Sequence, residues 1–180
     1  MIKTNNINNF TNRFKITIFG PYDIYRQRLN EIASYIRNLG YSDTKIVIER
    51  KEFRERDRKE ESSIYIMKKS YYFVEKSNMN IFIFYYNAYN DSMILELKEM
   101  CDKCRNKIPC SLIIIPNTNT KEKNINISRV LKGQILSSKI STVEYSPNQK
   151  DHLIDEFIKN QCRGYCDQLF IQKLHSGEIK

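Results

Sequence analysis

Short apolar runs rich in β-branched residues alternate along this chain with segments whose apolar residues recur every three or four positions. That alternation restricts the fold more than any other feature. Phe14 to Phe19 (FKITIF) predicts a first strand. Gly20-Pro21-Tyr22-Asp23 is turn chemistry, and Tyr25, Leu29, Ile32, Ile36 and Leu39 then mark one face of a helix, with Gly40 as its stop. Thr44 to Glu49 predicts a second strand, and Ile64, Met67, Tyr71 and Val74 a second helix. Met79 to Tyr86 (MNIFIFYY) is nearly continuous in apolar residues, as in a strand buried on both faces. Met93, Leu97, Met100 and Cys104 mark a third helix, and Ser111 to Ile115 a fourth strand closed by Pro116. A polar loop follows, Asn117 to Asn126, then a short helix over Ser128 to Ser138 and a fifth strand over Ile140 to Tyr145. Asp151 to Leu174 predicts a long final helix with Leu153, Phe157, Tyr165 and Leu169 facing inward.

Strands that alternate with helices require a parallel sheet covered on both faces. Because crossovers are right-handed, the expected fold is α/β: a three-layer, doubly wound, flavodoxin- or Rossmann-like sheet of five mostly parallel strands in the order 2-1-3-4-5. Residues 1–12 are expected as a polar tail and 13–180 as one domain. In such a sheet ligands bind beyond the carboxyl ends of the strands, at the switch between strands 1 and 3. The loops after those two strands therefore carry the functional reading.

The first loop contributes Gly20, Pro21, Tyr22 and Asp23. Gly lets a ligand approach the backbone, Pro fixes the turn, and Tyr22 offers a ring for stacking. Asp23 either accepts from a sugar hydroxyl or caps the next helix. Neither a G-x-G-x-x-G nor a G-x-x-x-x-G-K is present, which argues against a dinucleotide fingerprint and a Walker triphosphatase. The second loop, Asn87 to Ser92, leads into Met93-Ile94-Leu95-Glu96-Leu97, with Asp91 or Ser92 as the expected N-cap. Glu96 lies four residues after Ser92, at the edge of the Met93/Leu97/Met100 stripe. A carboxylate there can act as nucleophile or general base. The same spacing also fits a solvent-exposed Glu that pairs with Lys98 or Lys103 near a helix start.

These residues resemble the nucleoside 2-deoxyribosyltransferase-like proteins. The Gly-Pro-aromatic loop of that family is matched by Gly20, Pro21 and Tyr22. Its Asp-Ser-Gly-x-x-x-Glu-Leu-Gly segment is partly matched by Asp91, Ser92, Glu96 and Leu97. The layout also resembles TIR domains, and the resemblance spans about residues 14 to 116. It implies that Glu96 attacks the anomeric carbon of a nucleoside or nucleotide, that Tyr22 holds the base, that Asp23, Asn87 and Asp91 lie against the sugar, and that Ser92 belongs with Gly20 and Pro21 among the substrate-binding residues. Lys98 stands where the family has Gly, the Gly after Asp-Ser is missing, and the Asp-to-Glu spacing is one residue shorter. Those departures point to the alternatives: a non-catalytic nucleotide-binding module, or a TIR-like signalling module. A homodimer is the oligomer to test for.

The remaining composition narrows the classes further. No apolar run approaches the ~18 residues of a membrane span, and Met1 to Asn12 lacks the apolar stretch of a secretion signal, so a cytoplasmic protein is expected. The net charge of +9 suggests a polyanion such as nucleic acid. However, the densest charge run, Arg50 to Glu61, holds six basic and five acidic residues in twelve positions and reads as a solvated connection. Five cysteines include a C-x-x-C (Cys101, Cys104) and a C-x-x-x-C (Cys162, Cys166). A four-thiolate zinc site can be drawn from them, but both pairs fall in helical patterns. Thiols on helices, free or with one disulfide, are the alternative, and neither a metal nor a cofactor is expected.

Overall fold

The computed structural model describes residues 4–85, 88, 90–116, 129–146 and 151–178. The central strand β1 (Ile16–Phe19) is buried at every position. It pairs in parallel with β2 (Thr44–Ile46) on one side and β3 (Met79–Ile83) on the other, so that Ile16 is opposite both Thr44 and Met79. β4 (Ser111–Pro116) and β5 (Ser141–Tyr145) extend the sheet beyond β3, again in parallel. The order is β2-β1-β3-β4-β5, the doubly wound arrangement the alternating pattern requires.

Strand alternation sorts the core onto two faces. Ile16, Ile18, Ile81, Leu112 and Ile114 face a layer made by α2 (Tyr22–Asn38) and α6 (Asp151–His175). Phe19, Phe82, Phe84, Ile113 and Ile115 face α3 (Ser62–Lys76), α4 (Asp91–Lys103) and Ile135 on α5 (Arg129–Ser138). Burying each such side chain contributes about 1.5–3 kcal/mol, which is why the apolar runs dominate the architecture. Helix α2 ends where Gly40 adopts φ 102°. Its N–H donates to Arg37 O at 2.9 Å while Tyr41 N donates to Ile36 O at 3.4 Å, a Schellman stop that needs a left-handed residue.

Several elements differ from the sequence reading. Residues 4–13 are not a tail but helix α1 (Thr4–Arg13), whose Phe10 stacks edge-on against Phe170 at 5.4 Å and beside Phe14 at 6.2 Å. The second strand stops at Ile46, and Val47–Glu49 winds into a 3-10 turn. The third stops at Ile83. On α3 the buried residues are Ser70, Phe73 and Val74, whereas Ile64 and Met67 are exposed. On α6 the inward face is Ile154, Ile158, Cys162 and Cys166, with Phe157, Tyr165 and Leu169 half-buried beside it. The polar loop 117–126 and the side chain of Leu153 lie outside the described residues.

Arg50 is the largest departure. It begins the mixed-charge run, yet it is only 1% exposed. Its Nε donates to Thr17 Oγ1 at 3.0 Å, and its Nη2 to Ile16 O at 2.6 Å and Asp43 O at 3.0 Å. Its Nη1 bonds the Asp43 carboxylate and reaches Glu52 Oε1 at 3.2 Å. The guanidinium also lies 5.6 Å from the centre of the Phe73 ring. A buried cation is tolerated only when paired and hydrogen-bonded, and this one is both. From Lys51 to Glu61 the run is mostly solvent-exposed, as its balanced charge predicts.

The thiols also sort by face. Cys162 and Cys166 belong to the α2/α6 layer, and Cys101 and Cys104 to the α3/α4 layer, so the sheet separates the two pairs and no single zinc ion can join them. All five cysteines are free. Among the described residues no group of three His, Cys, Asp or Glu could hold a metal, and no helix is long and apolar enough to cross a membrane.

Candidate functional site

The exits of β1 and β3 lie side by side, and α2 and α4 start from them. Gly20 follows β1 directly. A Cβ placed on it would stand 2.7 and 2.9 Å from the two methyl carbons of Leu29, so a larger residue here would make that buried side chain shift. Pro21 occupies the N-cap position of α2 and makes no side-chain cap bond. Asp23 is therefore not the cap. It sits exposed in the first turn, where its charge favours the helix dipole. One turn on, Tyr25 departs from helical geometry (φ −109°, ψ 15°) and stacks on Tyr85 beyond β3, with ring centroids 3.8 Å apart.

The loop after β3 is held by Asn90, which stands at the N-cap position of α4 in place of the expected Asp91 or Ser92. Its side chain turns back into the loop, donating to Ala88 O at 3.0 Å and Tyr85 O at 3.2 Å. Asp91 and Ser92 are exposed. Asn87 lies outside the described residues.

Glu96 is only 5% exposed. Lys98 is exposed, and Lys103 pairs with Glu99 at 2.9 Å, so the solvent-paired reading of Glu96 is overturned. Glu96 stands among Met93, Leu97 and Met100, the buried residues of α4. Burial pushes its carboxyl up to about 7, and the neighbouring Ser70 hydroxyl offsets a part of that rise. The Tyr22 hydroxyl is raised well above its ordinary value, first by burial and then by the charge of Glu96, with the Gly20 amide working against both.

Three buried polar atoms lie on α2, α3 and α4: Tyr22 OH, Ser70 Oγ and Glu96 Oε2, with Ser70 next to the Glu96 carboxyl and Tyr22 within reach of its charge. None makes a hydrogen bond of regular geometry among the described residues. Buried polar atoms in a native protein are nearly always paired, which makes these three the candidate site. Ser70 is itself only 1% exposed and also borders a surface cavity of about 290 Å³. The cavity runs along α3 from Ser62 to Ser70, floored by Val47 and Ile48, with Tyr65, Lys69 and Arg56 on its walls.

Of the residues singled out from sequence, Gly20, Tyr22 and Glu96 come together and Pro21 supports them. Asp23, Asp91 and Ser92 remain exposed at the rim. Ser70 was not foreseen. Its only signal is a small polar residue on the apolar face of α3, next to Tyr71 in the helical stripe. The 3-10 turn after β2, which moves the accessible cavity toward α3, carries no signal of its own.

No family model, curated protein or solved structure matches this chain.

Proposed function

We propose that this protein binds a nucleoside or nucleotide and cleaves or transfers at its N-glycosidic bond through Glu96, as the resemblance to deoxyribosyltransferase-like proteins implies. One observation supports the reading above all others. Glu96 is a buried carboxyl that neighbours the Ser70 hydroxyl and makes no ion pair among the described residues, and its charge is felt by a buried tyrosine hydroxyl, at the carboxyl end of a doubly wound sheet. A structural acid would be paired or solvated.

In this reading the Glu96 carboxylate attacks the anomeric carbon as the C–N bond to the base breaks. The base leaves with the electron pair and takes up a proton, which leaves a glycosyl ester on Glu96. Water or a second base then attacks the same carbon and frees the carboxylate, with net retention of configuration. The Ser70 hydroxyl lies beside the carboxyl. A desolvated carboxylate poised at about 7 is ionised in half of the molecules at neutral pH and is more reactive than a solvated one.

The test is incubation with nucleosides, nucleoside monophosphates and NAD, with free base measured by chromatography. Base release that depends on Glu96 is expected. Release that continues unchanged in Glu96→Gln removes this residue from the chemistry. The exposed positions of Asp23 and Asp91, which the same chemistry would have against the sugar, favour a second reading: a nucleotide-binding module without turnover. Thermal stabilisation by a nucleotide with no base released supports that reading.

A further inference from the structure

The cavity beside Ser70 has a chemistry of its own. It is bordered by two cationic side chains, Arg56 and Lys69, and by no acidic one. Arg56 is exposed and makes no ion pair among the described residues. Lys69 is half-buried, and its Nζ donates once, to Ile48 O at 2.9 Å, so its other two protons stay available. At the outer end lies Ser62, the first residue of the 15-residue helix α3, whose N-cap makes no side-chain bond. The free amides and dipole of that helix start favour an anion. At the inner end is the buried Ser70 hydroxyl, which borders the cavity and neighbours the Glu96 carboxyl on α4.

We propose that this cavity is a phosphate subsite, so that the ligand of the Glu96 site is a nucleoside monophosphate rather than a free nucleoside. Arg56, Lys69 and the start of α3 hold the phosphate, and Ser70 meets the sugar side of the ligand. Ser62 and Ser70 lie eight residues apart, about 12 Å along the helix at 1.5 Å per residue, which gives the ligand a defined track toward Glu96. The volume of about 290 Å³ lies just below the roughly 300–1,000 Å³ range of ligand pockets, too small for a dinucleotide. The location of the sugar rests on the reading of Glu96 as the reactive group, but the phosphate subsite itself does not.

Isothermal titration with adenosine, adenosine 5′-monophosphate, inorganic phosphate and NAD tests this. The wild type is compared with Arg56→Gln, Lys69→Gln, Glu96→Gln and a control, Arg163→Gln, an exposed cation on α6. The monophosphate should bind at least tenfold more tightly than adenosine or NAD. Arg56→Gln and Lys69→Gln should each remove most of that advantage, while Arg163→Gln leaves it intact. Arg56 is exposed, so its variant tests the subsite even if Lys69→Gln perturbs the fold. Equal affinity for adenosine and its monophosphate overturns the proposal, as does an equal loss in the control, which would mean general attraction to a basic surface. A phosphate preference kept in Glu96→Gln, in a protein that releases no base, leaves the subsite standing and sinks the catalytic reading alone.

Discussion

Replacing Glu96 by Gln should stabilise the protein, and only above acid pH. The carboxyl titrates at about 7 in the folded chain and near 4.5 when unfolded and solvated. Below about 4.5 both states hold the proton, and the group contributes nothing to the pH dependence. As pH rises from there, the unfolded chain ionises first, so stability falls until the folded carboxyl also ionises near 7, and then levels off. The gap of some 2.5 units at ~1.36 kcal/mol each gives a penalty of about 3 kcal/mol at pH 8. Gln has a similar shape and no charge to desolvate. At roughly 2–4 °C per kcal/mol for a chain of this size, Glu96→Gln should melt roughly 6–12 °C above the wild type at pH 8 and level with it near pH 4.5. Thermal unfolding followed by circular dichroism at half-unit steps from pH 4.5 to 8.5 measures both curves. A difference that does not change with pH, or a variant less stable at pH 8, would falsify the argument. Either result would mean that the folded carboxylate has a partner strong enough to keep it ionised. The same titration predicts that any base release rises with pH on a limb centred near 7.

Two further outcomes follow from the other buried groups. Arg50→Met should cost about 3–5 kcal/mol in urea unfolding, because it strands the Asp43 carboxylate, Ile16 O and Thr17 Oγ1 without their donor; a loss under 1 kcal/mol would show that water replaces the guanidinium. Burial pushes the Cys162 and Cys166 thiols up to about 12 and about 11, so neither should react with a disulfide reagent at pH 8 until guanidinium is added, and rapid labelling of either in the folded protein would contradict their place in the core.

The layout of this fold was legible because burial is written in periodicity. A strand covered on both faces, such as Met79–Ile83, has no polar residue to spare except Asn80, whose Nδ2 donates to Val74 O at 3.0 Å. What the pattern misplaced were features decided by partners distant in sequence. Asp91 and Ser92 have the right chemistry for an N-cap, but Asn90 takes that position while its side chain holds the preceding loop. Cys162 and Cys166 reach the core because α6 is rotated slightly relative to its aromatic stripe, and small thiols fit close under the sheet where Phe157 and Tyr165 do not. α1 escaped notice because its sequence, rich in Asn, has weak helix propensity, and its contact with α6 through Phe10 supplies what local preference lacks.

The same distinction separates the two buried ionisable groups that matter most. Arg50 and Glu96 are both almost fully enclosed, and both lie in segments that look exposed by composition. Every face of the Arg50 guanidinium meets an acceptor or a ring, so its burial explains itself as architecture: it ties β1 to the turn before β2 and to the connection after the 3-10 turn. Glu96 neighbours one hydroxyl, that of Ser70, makes no ion pair among the described residues, and interrupts the apolar face of Met93, Leu97 and Met100. With its titration at about 7 the carboxyl should lower stability by about 3 kcal/mol at pH 8, which makes it the residue to test for a role outside folding. Beside it stands the Ser70 hydroxyl, which also borders the cavity lined by Arg56 and Lys69.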